Sequence, residues 1–263
     1  MGARCIGVSV CFLIVVGAAA QSPPQSDPQA LSLAAKSVAV MTGGLPLADA
    51  TLTGNAVWIA GSDKEVGTVT LLSKGTGESR MDLTLSDGPR TEIRNDSGAY
   101  PQGASAGVDG KLEPAAMHNC WNNASWFFPS LSFLSATSDP TLVFAYVGQE
   151  NRYGITVEHI QVYRYLTAKR ESMIDLTRVL SMADFYLDAA SLLPVAIVFN
   201  GHPDDDALTN IAMEVDFYNY QAIDGIQVPM HIQKLISNGL ALDVAFTGAA
   251  FNTGLSDSFF AVQ

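Results

Sequence analysis

Cysteine, histidine and positive charge are all scarce in this chain. Three of its 263 residues are cysteines and four are histidines, and 14 Lys and Arg stand against 26 Asp and Glu. Each scarcity removes a class of function. Cys5 and Cys11 fall in the first twenty residues, so a chain trimmed of that segment keeps Cys120 alone and no intrachain disulfide can staple the fold. Cys120 lies close to His118 in sequence. With no second cysteine and no spaced histidine pair, it reads as a buried free thiol rather than a nucleophile or metal ligand. His118, His159, His202 and His231 never recur at i, i+4, so no zinc site is signalled. No metal and no cofactor is expected. The acidic excess repels phosphate backbones and anionic surfaces, which removes nucleic acid from the expected partners.

The start of the chain is where apolar residues run on without interruption. A single Arg4, an apolar run over residues 5–16 and then Gly17-Ala18-Ala19-Ala20 precede Gln21. A basic start, a short apolar run and small residues make an export signal, cleaved near Ala20. The run is too short and wrongly flanked for a membrane anchor. Lipidation at Cys11 is set aside, because Val10 is too large for the usual small residue and the apolar run continues past the cysteine. Cleavage leaves 13 basic residues against 26 acidic ones, and the expected location is periplasmic or secreted. Residues 21–28, "QSPPQSDP", read as a flexible leader. The rest, 29–263, is expected to be a single domain, since an apolar content of 48% is enough to bury one large core.

Along that domain, Leu31, Ala34, Ala35, Val38 and Met41 recur at helical spacing, with Asp27 as a candidate cap and Gly43-Gly44 as the stop. A meander of three or four strands follows between Ala50 and Arg94, broken by Gly61-Ser62-Asp63, Gly75-Thr76-Gly77 and Asp87-Gly88-Pro89. Residues 97–114 read as a glycine-rich loop. Residues 115–140 mix a short helical pattern with five aromatics, and Pro129 interrupts any single long helix. Strands resume from residue 141 onward. Parity there separates two faces: Met213, Val215 and Phe217 share one face, Glu214 and Asp216 the other. Val228, Met230, Leu242 and Val244 extend the dry face. Nine or ten antiparallel strands with one dry face must curl, and the few helices must cover the dry side. The expected fold is mainly β with a few helices: a strongly curved antiparallel sheet, an incomplete barrel, with helices covering its concave face.

Three stretches carry a resemblance: "FYLDAASLLPVAIVF", "MEVDFYNYQAIDGIQVPMHIQKL" and "LDVAFTGAAFNTGLSDSFF". Leu187-Asp188 before Pro194, Phe217-Tyr218, Asp224-Gly225-Ile226 with Val228-Pro229, and then Asn252, Leu255 and Phe259 follow in order. This half of the chain resembles the LolA/LolB-like superfamily of periplasmic lipoprotein carriers and outer-membrane lipoprotein-sorting proteins; the first half is similar more loosely. The resemblance implies an incomplete antiparallel barrel whose hydrophobic hollow is closed by helices. Residues 117–138 match no carrier helix, and the basic residue that lipoprotein carriers use has no counterpart placed here, so no functional residue is carried over.

A concave apolar face can hide the CH₂ groups of an acyl chain, each worth about 0.8 kcal/mol of transfer; it can equally be a packed core. The candidate cavity residues are Met213, Val215, Phe217, Val228, Met230, Leu242 and Val244 from the strands. Trp126, Phe128, Leu131 and Phe133 join them from the middle segment, which acts as a lid or a fixed plug. The expected function is an exported, non-enzymatic, monomeric carrier or binding protein for lipid, acyl chains or lipidated protein in the cell envelope. The alternative is a sensor or scaffold that binds another envelope protein through the same half-barrel. A hydrolase using Ser105 is the third reading: Gly103-Ala104-Ser105-Ala106-Gly107 spells a nucleophile elbow, with Asp184 and His231 downstream, but an elbow needs a strand before the serine and a helix after it. Asp204-Asp205-Asp206 lacks the alternating ligands of a calcium loop. The export reading has a direct check: amino-terminal sequencing of protein from the envelope fraction should begin at Gln21 or within a few residues of it, and an intact Met1 there would refute cleavage.

Overall fold

The computed structural model describes residues 24–96, 100–122, 124–166 and 171–262; the expected export signal and residues 21–23 of the leader lie outside them. Helix α1 (Pro28–Thr42) precedes a meander of β1 (Asp49–Ala60), β2 (Asp63–Lys74), β3 (Glu78–Leu85), β4 (Gly88–Asn95), β5 (Gln102–Ala106) and β6 (Leu112–Pro114). Helix α2 (Pro129–Ser138) follows, then β7 (Leu142–Arg152), β8 (Ile155–Arg164), α3 (Glu171–Ser181) and β9 (Ala183–Asp188). Strands β10 (Pro194–Gly201), β11 (Ile211–Ile223), β12 (Ile226–Ile236) and β13 (Gly239–Phe251) complete one thirteen-stranded antiparallel sheet.

Two runs of sequence neighbours, β1 to β6 and β7 to β13, meet along the single seam β1–β13, and the sheet stays open with β6 and β7 as its two ends. The seam is tied by the closing tail. Asn252, at φ +55°, accepts from the Ala48 N–H at 2.7 Å and donates to the Pro46 carbonyl at 2.9 Å. Burial alone would raise the Asp49 carboxyl, but the N–H groups of Thr253, Gly254 and Leu255 hold it below the usual carboxylate range. The aromatic that buries at the end of the tail is Phe260, packed with Leu72 and Ile93, whereas Phe259 is exposed.

Pro28 at the first helical position and Asp27 as cap set the start of α1: the carboxylate accepts from the N–H of Gln29 at 2.7 Å and of Ala30 at 3.2 Å. The end of the leader is anchored, since Asp27 N–H donates to the Phe144 carbonyl and Ser26 Oγ accepts from Phe144 N–H. The buried stripe of α1 is Ala30, Ala34, Ser37 and Met41, while Leu31 and Ala35 face out. Small residues allow the close approach in which Ser37 Oγ donates to the Leu192 carbonyl.

Four expectations need correction. Thirteen strands replace nine or ten, because residues 97–114 contain β5 and β6 instead of a loop and residues 182–201 hold two strands, β9 and β10. Gly103, Ala104, Ser105 and Ala106 have little strand propensity of their own; pairing with the free edge of β4 makes them a strand. A Cβ at Gly103 would stand 3.0 Å from Cys120 Sγ and 3.1 Å from Arg94 Cδ, so glycine is what fits. Helix α3 lies where no element was expected from the sequence, although Met173, Leu176 and Leu180 recur at helical spacing; Met173, Leu176 and Val179 are exposed, and the helix packs inward at Thr177, Leu180 and Ser181.

The fourth correction is Asp216, which parity places in solvent and the structure buries to 6% exposure. Its side of the sheet is covered locally by Arg152, which pairs with Glu214 and lies 4.2 Å over the Tyr186 ring, and by Tyr218, whose hydroxyl donates to Asp216. Burial and the adjacent Glu214 push the Asp216 carboxyl up to about 7, while Arg152 keeps Glu214 ionised. A carboxyl whose folded pKa lies above its unfolded value favours the fold at low pH, and that contribution is lost as pH rises through about 7. Asp216→Asn should therefore stabilise the protein at about pH 8, by on the order of 1–2 kcal/mol, and flatten its pH dependence between about pH 5 and pH 8. Urea unfolding at the two pH values checks this; equal wild-type and variant profiles would refute it.

Candidate functional site

The concave face is where the strand parities converge. Cross-strand pairing aligns Val215 with Lys234 on β12 and Lys234 with Leu242 on β13, and sets Phe217 opposite Ile232 and Ile232 opposite Val244. Val215, Phe217, Val228, Leu242 and Val244 are buried in one apolar cluster that also holds Trp126, Phe128, Leu131 and Phe133; Met213 and Met230 are partly buried against it. All eleven candidates from the sequence are therefore brought together. Their rings interlock: Phe133 meets Phe185 at a centroid distance of 4.2 Å, Phe128 stacks on Phe251 at 6.0 Å, and Trp126 stands edge-on to Phe127 at 5.4 Å. In this structure the middle of the hollow is filled by the protein's own side chains.

Open volume lies at the margins. The larger cleft, about 540 Å³, runs between the β2–β3 turn at Gly75 to Gly77, the end of α2 and the start of β7. Leu142, Val162, Ala183 and Phe185 form its apolar wall, and none of the eleven candidates lines it. Its polar lip is Arg164, which donates to Asp139 Oδ2 at 2.7 Å, to Thr141 Oγ1 at 2.7 Å and to Asp96 Oδ2 at 3.1 Å. Arg164 thus joins β8 to the chain just beyond β4, across the open side of the sheet. Burial raises the Asp96 carboxyl despite this arginine, with Asp139 adding repulsion. Asp139 itself, although partly desolvated, is held low by the Thr141 hydrogen bonds and Arg164. The sequence reading missed Asp96, Asp139 and Arg164 because residues so far apart carry no common spacing.

A second opening of about 240 Å³ is lined by Trp126 and Met213 from the candidate set, together with Glu92, Arg94 and Lys234. The hydrolase constellation does not assemble. Ser105 is in the middle of β5, paired between Glu92 and Glu113, with no helix following it. Asp184 is engaged by His159 and Gln161, and His231 by Asp243. Asp206 closes a local turn by accepting from Leu208 N–H and the Thr209 hydroxyl. Among the described residues no group of three or more His, Cys, Asp or Glu side chains could hold a metal, and no helix is long and apolar enough to cross a membrane. Cys120 is a buried free thiol whose pKa is raised by burial.

An open, curled antiparallel sheet with its concave face plugged by α1, α2 and an aromatic segment is a LolA-like fold. The chain is similar to a domain assigned to outer membrane lipoprotein sorting from Vibrio parahaemolyticus: TM-score 0.53, 14% identity, covering 88% of this chain and 96% of that one. It is similar to a DUF1329 family protein from Desulfovibrio piger, with TM-score 0.56, 13% identity and coverage of 90% and 98%. A LolA superfamily protein from Nitrosomonas europaea gives TM-score 0.55, 11% identity and coverage of 88% and 97%. At these identities the likeness is one of fold. No family profile matches the sequence, and no curated protein matches it.

The filled hollow makes a stability prediction. Phe128→Ala and Phe133→Ala each remove a side chain with no solvent exposure and should each cost roughly 3–5 kcal/mol. Denaturant unfolding measures this, and losses below about 1 kcal/mol would show that the segment does not complete the core.

Proposed function

We propose that this chain is an exported, non-catalytic binding protein of the cell envelope that takes up acyl chains, of a lipid or of a lipidated protein, in the cleft beside its filled hollow. The observation that carries this reading is the 540 Å³ cleft, apolar along Leu142, Val162, Ala183 and Phe185 and continuous with the core through Phe185. Among the described residues its one cationic side chain, Arg164, stands with Asp96 and Asp139 at the lip. The LolA-like fold supports it, as does the amino-terminal signal read from the sequence. Each CH₂ removed from water gains about 0.8 kcal/mol, so even a partly inserted chain of six or so carbons gains several kcal/mol before ordering costs.

A second reading, an envelope protein as partner, is favoured by α3, where Met173, Leu176 and Val179 stand exposed. Native mass spectrometry of the mature protein separates the two: co-purifying lipid supports the carrier, and a clean apo mass supports the protein partner. A fluorescent fatty acid should bind the wild type, and Leu142→Glu, at the partly exposed wall of the cleft, should weaken it about tenfold or more by charging an apolar surface. Absence of binding of any acyl probe to the wild type would overturn the carrier reading.

A further inference from the structure

The dry face of the sheet is not apolar along its whole length. Lys234 has the same parity as Ile232 and pairs with Val215 and Leu242, so its side chain rises from the concave floor among buried neighbours. Across the hollow, Glu92 and Arg94 on β4 pair with Met81 and Ser79 of β3 and face the same space. In sheet order β4 and β12 are separated by β3, β2, β1 and β13, and only the curl brings them to one opening of about 240 Å³.

Four charges line that opening, Arg94 and Lys234 against Glu92 and Asp204, but they are not evenly engaged. Arg94 is occupied: its Nε donates to Glu92 at 3.2 Å and its terminal nitrogen donates to the Asn119 carbonyl. Glu92 is held ionised against burial by Lys234, Arg94 and the Trp126 indole N–H. Lys234 Nζ lies 4.2 Å from the Trp126 ring centroid, and among the described residues no carboxylate stands within ion-pair distance of it. Burial lowers its pKa, and the attraction of Glu92 only partly restores it. Asp204 sits exposed at the rim, near Asn119. Inside the rim the opening thus holds two cations, Arg94 and Lys234, and one anion, Glu92, and it is the Lys234 ammonium that lacks a carboxylate in contact. Such a group favours an incoming oxyanion, because charge-assisted hydrogen bonds are strongest where water is excluded. The surrounding walls, Phe199, Met213 and Trp126, are apolar, which suits a head with a tail attached.

We propose that this opening is a binding site for an oxyanion, the carboxylate or phosphate head of an acyl amphiphile or free phosphate, held by Lys234 Nζ beside Trp126. The tail in this proposal rests on the carrier reading above; the anion site does not. The net acidity of the chain opposes anions at long range, so the attraction is local to the hollow and short-ranged in salt.

The test uses the mature protein with octanoate, octyl phosphate, methyl octanoate and inorganic phosphate. Calorimetry gives the affinities, and nuclear magnetic resonance of the lysine side chains follows the titration of Lys234. Octanoate and octyl phosphate should bind about tenfold tighter than the methyl ester, Lys234→Met should erase that difference, and Lys234→Arg should restore it. In the wild type, either acid or phosphate should raise the titration point of Lys234. Equal binding of acid and ester, with Lys234 unmoved, would overturn the anion site and leave the carrier reading standing. Binding of phosphate alone, with Lys234 shifted, would uphold the anion site and defeat the carrier reading. No shift of Lys234 with any anion would overturn the proposal even if Lys234→Met fails to fold.

Discussion

The chain leaves its sheet at β6, one end, and re-enters at β7, the other. Everything between 115 and 141 has to cross the open side of a curled sheet, and that constraint organises the molecule. A polar crossing would leave the dry face in water. A crossing rich in Trp126, Phe127, Phe128, Leu131 and Phe133 covers it, and all five are buried to 4% exposure or less. Pro129 serves the crossing as the first residue of α2, where its missing N–H costs nothing. The seam between β1 and β13 then needs only to keep the two halves in register, which Asp49 and Asn252 do by gathering the closing tail.

Curling has an electrostatic consequence. Side chains that are remote along the sheet become neighbours across it: Arg164 at the end of β8 reaches Asp96 after β4, and Lys234 on β12 reaches the field of Glu92 on β4. In the first, two carboxylates share one guanidinium and Thr141 helps hold the geometry, with Arg164 Nε buried and without a partner among the described residues. The second is left open, with an ammonium over an aromatic ring and no carboxylate in contact. An ammonium with no carboxylate in contact, set beside an opening, therefore keeps an affinity for a counter-charge there, whereas Arg164 at the larger cleft already meets two carboxylates.

How far the sequence shows this follows from what parity measures. It separates the two faces of β11 to β13 correctly, and Asp224-Gly225, at φ +49° and +84°, is the tight turn its letters spell. The Asn252 tail is also legible, because its role is local. Parity cannot say whether the second face is covered, so Asp216 reads as solvated although Arg152 and Tyr218 enclose it. It also places Lys234 on the dry face without showing what stands opposite. Strands β5 and β6 are invisible for a further reason: they are strands because β4 offers them an edge. Arg164, Asp96 and Asp139 belong to a closure in space that no spacing records.

The same geometry decides where a ligand can go. To enter the middle of the hollow, an acyl chain would have to displace several aromatic rings, each worth roughly 3–5 kcal/mol to the core. Displacing three would match the whole stability of a typical domain, about 5–15 kcal/mol. The ligand would have to replace all of that contact area itself. Entry at the margin asks for far less, because the cleft by Leu142 and Phe185 and the opening by Lys234 already exist beside the packed cluster. The end of α2 bounds the larger opening and Trp126 the smaller. On this reading the fold separates the tasks that a hollow half-barrel would combine: stability resides in the filled centre, and binding is left to openings at its margins.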